Sequence, residues 1–192
     1  TILSICGARI FLFLPFMTVA GCIPLLIEEW QIGAAEAGSI VSGFYCAYAV
    51  SLMVFSWLGD HIGAKRAVEI SAYMTTLASI TFAFFATDYT TSLIFYSLIG
   101  LSQGGIYTPL IALFRENTAP PRLGTAIGWL IASTSVGYAT SLFLTGLSLA
   151  FGGWQAAFFL TGLIPAIGTA LLLIAIRSLP NNIYARNATT GL

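Results

Sequence analysis

The sequence predicts an all-α membrane protein of six transmembrane helices. Hydrophobic residues make up 58% of the 192-residue chain, charged residues only 7%, and mean hydropathy is +0.92. A soluble domain carries about 25% charged residues. The stretches 10–27, 37–59, 70–87, 89–114 and 123–176 contain no Asp, Glu, Lys or Arg. Gly152-Gly153 interrupts the last of them. Six apolar segments result, and a bilayer core needs about 20 apolar residues per helix.

The segments place spans near 8–27, 37–58, 67–87, 91–114, 123–150 and 156–176. In the first, Val19-Ala20-Gly21-Cys22 has the look of a lipoprotein signal, but the apolar run continues through Ile23 to Ile27. A lipidated Cys is followed by polar chain, so the segment reads as a helix. Residues 1–179 are expected to form one bundle, and 180–192 the start of a cytoplasmic linker or tail.

Loop charges set the orientation. The loop after the first span holds Glu28, Glu29 and Glu36. The second loop holds His61, Lys65 and Arg66, and the third Asp88. The fourth holds Arg115 and Arg122, the fifth none, and the tail Arg177 and Arg186. With Arg9 counted as the leading edge of the first span, all 7 cations fall on one side. The positive-inside rule makes that side cytoplasmic, with both termini there. Trp30, Tyr89 and Trp154 mark the outer interface.

Several functions are disfavoured. Zero net charge argues against nucleic acid as a partner. Cys6, Cys22 and Cys46 read as small apolar packing residues. No His/Cys/Asp/Glu spacing suits a metal, and no cofactor is expected. The single histidine, His61, lies in a loop, so it cannot serve as the intramembrane base of a serine protease. The chain reads as a non-enzyme. A six-helix channel or membrane scaffold stays open as the alternative to a transporter, although no filter-like loop or charge ring is visible.

The most specific segment is Ser56-Trp57-Leu58-Gly59-Asp60-His61-Ile62-Gly63-Ala64-Lys65-Arg66. A short turn needs a glycine free to take positive φ, here Gly63. The cations hold the loop inside, and an acid at such a turn can attract a helix N-terminus. The segment resembles the G-x-L-A-D-R-x-G-R-K loop of the major facilitator superfamily, with Asp60, Gly63 and Lys65 in register. Arg66 extends its basic end, and Ser56, His61 and Ala64 depart from it. The resemblance implies that Asp60 contacts an opposite half and steadies an outward-facing state. Asp60, Gly63, Lys65 and Arg66 are therefore the expected conformational-switch loop.

Three weaker segments are similar to the same family. Gly100-Leu101-Ser102-Gln103-Gly104 keeps Gln and Gly of an exporter R-x-x-Q-G motif, with Gly100 in place of Arg. Arg122-Leu123-Gly124-Thr125-Ala126-Ile127-Gly128 looks like the loop into the fifth helix, with Arg122 and Gly124 as its marks. Gly153-Trp154 with Phe158-Phe159 is similar to the entry into the sixth. Gly137-Tyr138 keeps only the first Gly of an antiporter motif, which with the missing Arg counts against drug–proton antiport. The resemblance spans one half of a twelve-helix permease. It implies a missing carboxy-terminal half or a homodimer partner, and a bacterial inner membrane.

Polar residues inside the spans mark a candidate solute cavity: Tyr45, Tyr48, Gln103, Tyr107, Thr134 and Tyr138. Ser51, Tyr96, Ser141 and Thr145 share their faces. Either hydrogen bonding to a small solute or bonding between helices would account for them. Gly100, Gly104 and Thr108 follow i, i+4 spacing and form a small face for close helix contact. Tyr48-Ala49-Val50-Ser51-Leu52 and Tyr138-Ala139-Thr140-Ser141-Leu142 echo each other, as an inverted three-plus-three repeat would. Every Asp and Glu lies at a helix end or in a loop, so a titrating proton carrier is expected outside this segment. Solute contact is expected from neutral groups.

The topology has a direct check. In a cysteine-free background, impermeant thiol reagents applied from outside should label single cysteines placed near Glu36 and Gln155. Cysteines near Lys65 and Arg122 should stay unlabelled, and labelling of the opposite set would invert the assignment.

Overall fold

In the computed structural model, residues 2–181 are described, and every regular element among them is a helix. Five helical stretches are long and apolar enough to cross a bilayer: Ile2–Trp30, Ala34–Ile62, Ala64–Phe85, Tyr89–Asn117 and Pro120–Ile176. Of the expected linker, residues 182–192 lie outside the described residues.

The first stretch comprises α1 (Ile2–Leu12), a tight 3-10 turn at Leu14–Met17 and α2 (Thr18–Trp30). Pro15 causes the break. It has no N–H to donate, and its ring clashes with the carbonyl one turn back. The stretch begins at Ile2 and not near residue 8, which corrects the expected boundary. Arg9 therefore sits inside it and is 0% exposed. It is not a loop cation, and the charge asymmetry rests on the other Lys and Arg residues.

α3 (Ala34–Ile62) and α4 (Ala64–Phe85) are separated by Gly63, whose φ of +93° fulfils the need for glycine at this turn. Glu36 caps the start of α3 by accepting from the Gly33 N–H at 2.7 Å. Asp88 caps α5 (Tyr89–Ser102) by accepting from the Thr91 N–H at 2.9 Å, and the Thr91 hydroxyl accepts from the Asp88 N–H. A second 3-10 turn, Gln103–Ile106, separates α5 from α6 (Thr108–Asn117). Gly104-Gly105 weakens the helix there, and Pro109 removes a donor one turn later.

The last stretch holds α7 (Pro120–Leu163) and α8 (Pro165–Ile176). Its helical backbone is interrupted at Gly152 (φ −153°) and Gly153 (φ +67°). Before this point the chain runs alongside the first stretch. Arg9 bonds Leu130, Leu14 bonds Ser141, and Gly21 faces Thr145. After it the chain runs back along α4. Phe158 packs on Phe82 at 4.4 Å, Gly162 faces Ser79, and Thr169 bonds the Ala72 carbonyl. A glycine is required at Gly153 because positive φ strains any residue with a Cβ.

α3 packs most extensively on α5. A Cβ at Gly100 would collide with the Phe44 carbonyl oxygen, and one at Gly104 with the Ser51 backbone. The small face read from the sequence is thus a backbone contact. No long side chain fits at Gly100, which accounts for the absence of the exporter Arg.

Two serines repair the breaks. Ser141 on α7 donates to the Leu14 carbonyl at 2.5 Å and accepts from the Met17 N–H at 3.3 Å. Ser51 on α3 donates to the Leu101 carbonyl at 2.5 Å and accepts from the Gly104 N–H at 2.9 Å. Each hydroxyl satisfies one acceptor and one donor left by an interrupted helix. No water inside a bilayer could do this instead.

Gly100→Val or Gly104→Val should force α3 and α5 apart and lower stability by about 1–3 kcal/mol or more. Gly128→Ala, where an added Cβ meets nothing within 4 Å, should be neutral. Thermal midpoints in detergent would check the contrast. Ser51→Ala and Ser141→Ala should each lose about 1–2 kcal/mol by leaving two buried backbone groups unpaired. The same melting assay, with Ser→Thr as a partial rescue, measures this.

Candidate functional site

Of the expected cavity residues, Tyr45, Tyr48 and Tyr138 meet at the break in the first stretch, and Gln103, Tyr107 and Thr134 lie against α1 just before it. Phe16, inside the 3-10 turn, is the hub of the first three. Its ring lies 5.6 Å from Tyr45, 5.6 Å from Tyr48 and 4.6 Å from Tyr138. Phe13 lies 5.8 Å from Tyr138 and 5.5 Å from Phe16. Tyr45 is exposed, and Tyr48, Tyr107, Thr134 and Tyr138 are partly buried. These five residues come from α3, α7 and the break before α6.

Other members of the same polar faces are fully enclosed. The Tyr96 hydroxyl donates to the Phe16 carbonyl at 2.6 Å. Gln103 is 0% exposed, and its Nε2 donates to the Leu12 carbonyl at 3.0 Å. Its Oε1 has no partner. Ser51, Ser141 and Thr145 are buried against neighbouring helices. Bonding between helices thus accounts for Ser51, Tyr96, Gln103 and Ser141. Cys6 and Cys22 are buried, as packing residues would be, whereas Cys46 is exposed.

Beside Tyr107 and Thr134 lies Arg9, which sequence reasoning placed at a membrane edge. Its Nε donates to the Ile106 carbonyl at 3.1 Å. Its Nη1 lies 2.6 Å from the Leu130 carbonyl, 2.6 Å from Thr134 Oγ1 and 3.3 Å from Ser133 Oγ. Its Nη2 is buried with no partner. The guanidinium carbon stands 4.6 Å from the Phe13 ring centre and 5.4 Å from that of Tyr107. Arg9 therefore ties α1 to the second break and to α7. The sequence held one signal of this: residues 1–8 are uncharged as well, so Arg9 is flanked by apolar chain on both sides.

The Asp60 loop lies at the other end of α3. Asp60 is exposed and lines a cleft with Ser56, Gly59, Thr108, Pro109 and Glu116. Lys65 Nζ donates to the carbonyls of Arg177 at 3.0 Å and Leu179 at 2.8 Å, and so caps the end of α8. Asn181 Nδ2 donates to the Ile62 carbonyl at 3.1 Å. His61 bonds within its own helix, to the Trp57 carbonyl. Arg66, Arg122 and Gly124 are exposed. The loop is thus partly a clasp that fixes the end of the bundle.

Comparison with known proteins fits this arrangement. A probable hexose phosphate transport protein of Chlamydia trachomatis is 26% identical over 176 residues, covering 91% of this chain and 38% of its own length. The corresponding protein of Chlamydia muridarum is 26% identical over 178 residues, with the same coverage. A TsgA homolog of Yersinia pestis is 29% identical over 133 residues, covering 68% of this chain and 32% of its own length. The chain thus spans well under half the length of these relatives. The profile of the Major Facilitator Superfamily matches residues 5–189. The chain, an integral membrane protein built of long apolar helices around polar breaks, belongs to the Major Facilitator Superfamily.

Proposed function

We propose that this chain is the amino-terminal six-helix half of a permease that moves a small solute by alternating access. The single observation that carries the reading is the convergence of Tyr45, Tyr48 and Tyr138 on Phe16 in the break at Leu14–Met17, with Tyr107 and Thr134 beside Arg9, within a chain of this family. The backbone interruption at Gly152-Gly153 supports dividing the last apolar stretch into a fifth and a sixth span. The asymmetry of the remaining cations supports cytoplasmic termini, and bacterial relatives support an inner membrane. The reciprocal roles of Ser51 and Ser141 support an inverted three-plus-three repeat. Each serine sits in one of the two echoing segments and repairs the break of the other half-repeat.

A second six-helix unit completes the pathway. The greater length of the relatives favours a carboxy-terminal half on the same protein, and a homodimer is the alternative. In this reading Asp60 meets that unit and biases the equilibrium between inward- and outward-facing states. The Chlamydia relatives make hexose phosphates the first solutes to try.

The test is uptake by the complete protein in vesicles. Wild type should accumulate a small solute, and Asp60→Asn should lower transport per molecule by about tenfold while expression holds. A charge alters such an equilibrium only through different contacts in the two states. Equal rates would reduce Asp60 to a surface charge, and no uptake of any solute would remove the transport reading.

A further inference from the structure

We propose that the groove between α4 and α5 holds one acyl chain of a bound phosphatidylethanolamine, whose ammonium head lies beside Asp88. A bilayer is all that such a site requires, so it stands apart from the transport reading. Met74, Leu77 and Ala78 on α4 face Phe95, Leu98 and Leu101 on α5 across a groove of about 250 Å³. Its rims are long and apolar, with Leu77 66% and Leu98 43% exposed. Its floor is small, with Ala78 partly and Ser102 fully buried. Short side chains between long ones leave a trough that the protein does not fill.

Both hydroxyls of the trough are already satisfied. Thr81 bonds the Leu77 and Ala78 carbonyls, at 3.1 and 2.8 Å. Ser102 Oγ lies 2.7 Å from the Ile99 carbonyl and 3.1 Å from Thr75 Oγ1. The lining thus suits hydrocarbon better than water or a polar solute. A chain seated there touches protein on two sides, where a flat helix face offers one. Length and depth agree. α4 ends at Phe85 and α5 returns from Tyr89, with the Phe85 and Phe95 rings 6.0 Å apart near the connecting loop. From Phe95 to Ser102 is about 10 Å of helix. Ser102 adjoins the break at mid-length of its stretch, and one leaflet's hydrocarbon is about 15 Å deep. A chain entering at the loop end therefore reaches the bilayer centre.

Charge selects the head group. Asp88 is exposed in the loop that joins the two walls, and Glu28, Glu29 and Glu36 lie at the same end of the bundle. Among the described residues, Lys65, Arg66, Arg115, Arg122 and Arg177 lie at the opposite end, and Arg9 is buried. An anionic head is repelled at the acidic end and an ammonium is attracted. A primary ammonium also donates to a carboxylate, which the methylated nitrogen of choline cannot do.

The experiment titrates the complete protein in detergent with dioleoyl phosphatidylethanolamine and, separately, dioleoyl phosphatidylglycerol, read by native mass spectrometry. The first equivalent of phosphatidylethanolamine should bind about fivefold more tightly than phosphatidylglycerol, the worth of one surface charge. Ala78→Phe fills the trough and should weaken that equivalent about tenfold, the worth of two buried methylenes. Leu101→Trp, at the rim, carries the test if Ala78→Phe does not fold. Ile174→Trp, at an exposed site on α8, should change nothing. Asp88→Asn keeps a capping side chain and should bring the two lipids to equal affinity. Binding unchanged in Ala78→Phe and Leu101→Trp would show that the trough holds no chain. A lipid preference that survives Asp88→Asn, or a wild-type preference for phosphatidylglycerol, would overturn the head-group assignment. A dimer present in wild type and lost in Ala78→Phe would assign the trough to a second copy instead.

Discussion

Inside a bilayer every backbone N–H and C=O must find a partner within the protein, and this requirement governs the centre of the bundle. Two helical stretches are interrupted at mid-length, and the interruptions free a set of carbonyls. Side chains meet them one by one. Gln103 takes Leu12, Ser141 takes Leu14, and Tyr96 takes Phe16. Ser51 takes Leu101, Ser71 takes Ser102, and Arg9 takes Ile106. Each of these groups comes from a different helical stretch than the carbonyl it satisfies. The breaks are therefore stable only while the bundle is assembled around them, and these six buried polar side chains are explained by them.

The same requirement constrains helix spacing. A hydroxyl reaches a neighbouring backbone only if the helices approach closely, and close approach needs small residues at the contact. Gly100 and Gly104 supply that against Phe44 and Ser51. The position that carries Arg in some exporters is thereby occupied by a backbone contact. The cation of this bundle instead enters from α1, where Ile106 and Leu130 offer carbonyls.

Most of the architecture was legible because charge placement is a strong signal. A charge in hydrocarbon is costly, so charge-free runs delimit helices. The turn at Gly63 and the interruption at Gly152-Gly153 were legible because only glycine takes positive φ easily. The breaks at Leu14–Met17 and Gln103–Ile106 were not read, although Pro15 and Gly104-Gly105 were visible. Proline and glycine are common in membrane helices, so their presence alone does not decide between a kink and a continuous helix. Hydroxyls bonded to backbone were indistinguishable in sequence from those facing a cavity, because both need small polar residues at helical spacing. Arg9 was missed for a different reason. A span of about 20 residues was fitted to the charge-free run that follows it, whereas the helical stretch runs from Ile2 to Trp30. An uncharged segment on both sides was the better cue.

Arg9 also links the two breaks. It leaves α1 just before the first and bonds Ile106 at the end of the second. Its other acceptors lie on α7, which carries the serine that repairs the first break. A shift of α7 relative to α1 therefore alters the guanidinium and the Ser141 staple together. A shift of α3 relative to α5 alters the Ser51 staple and, through the turn at Gln103–Ile106, the carbonyl that holds Nε. Among the described residues Arg9 is the one buried charge, and its hydrogen bonds tie the second break to α7 beside the first.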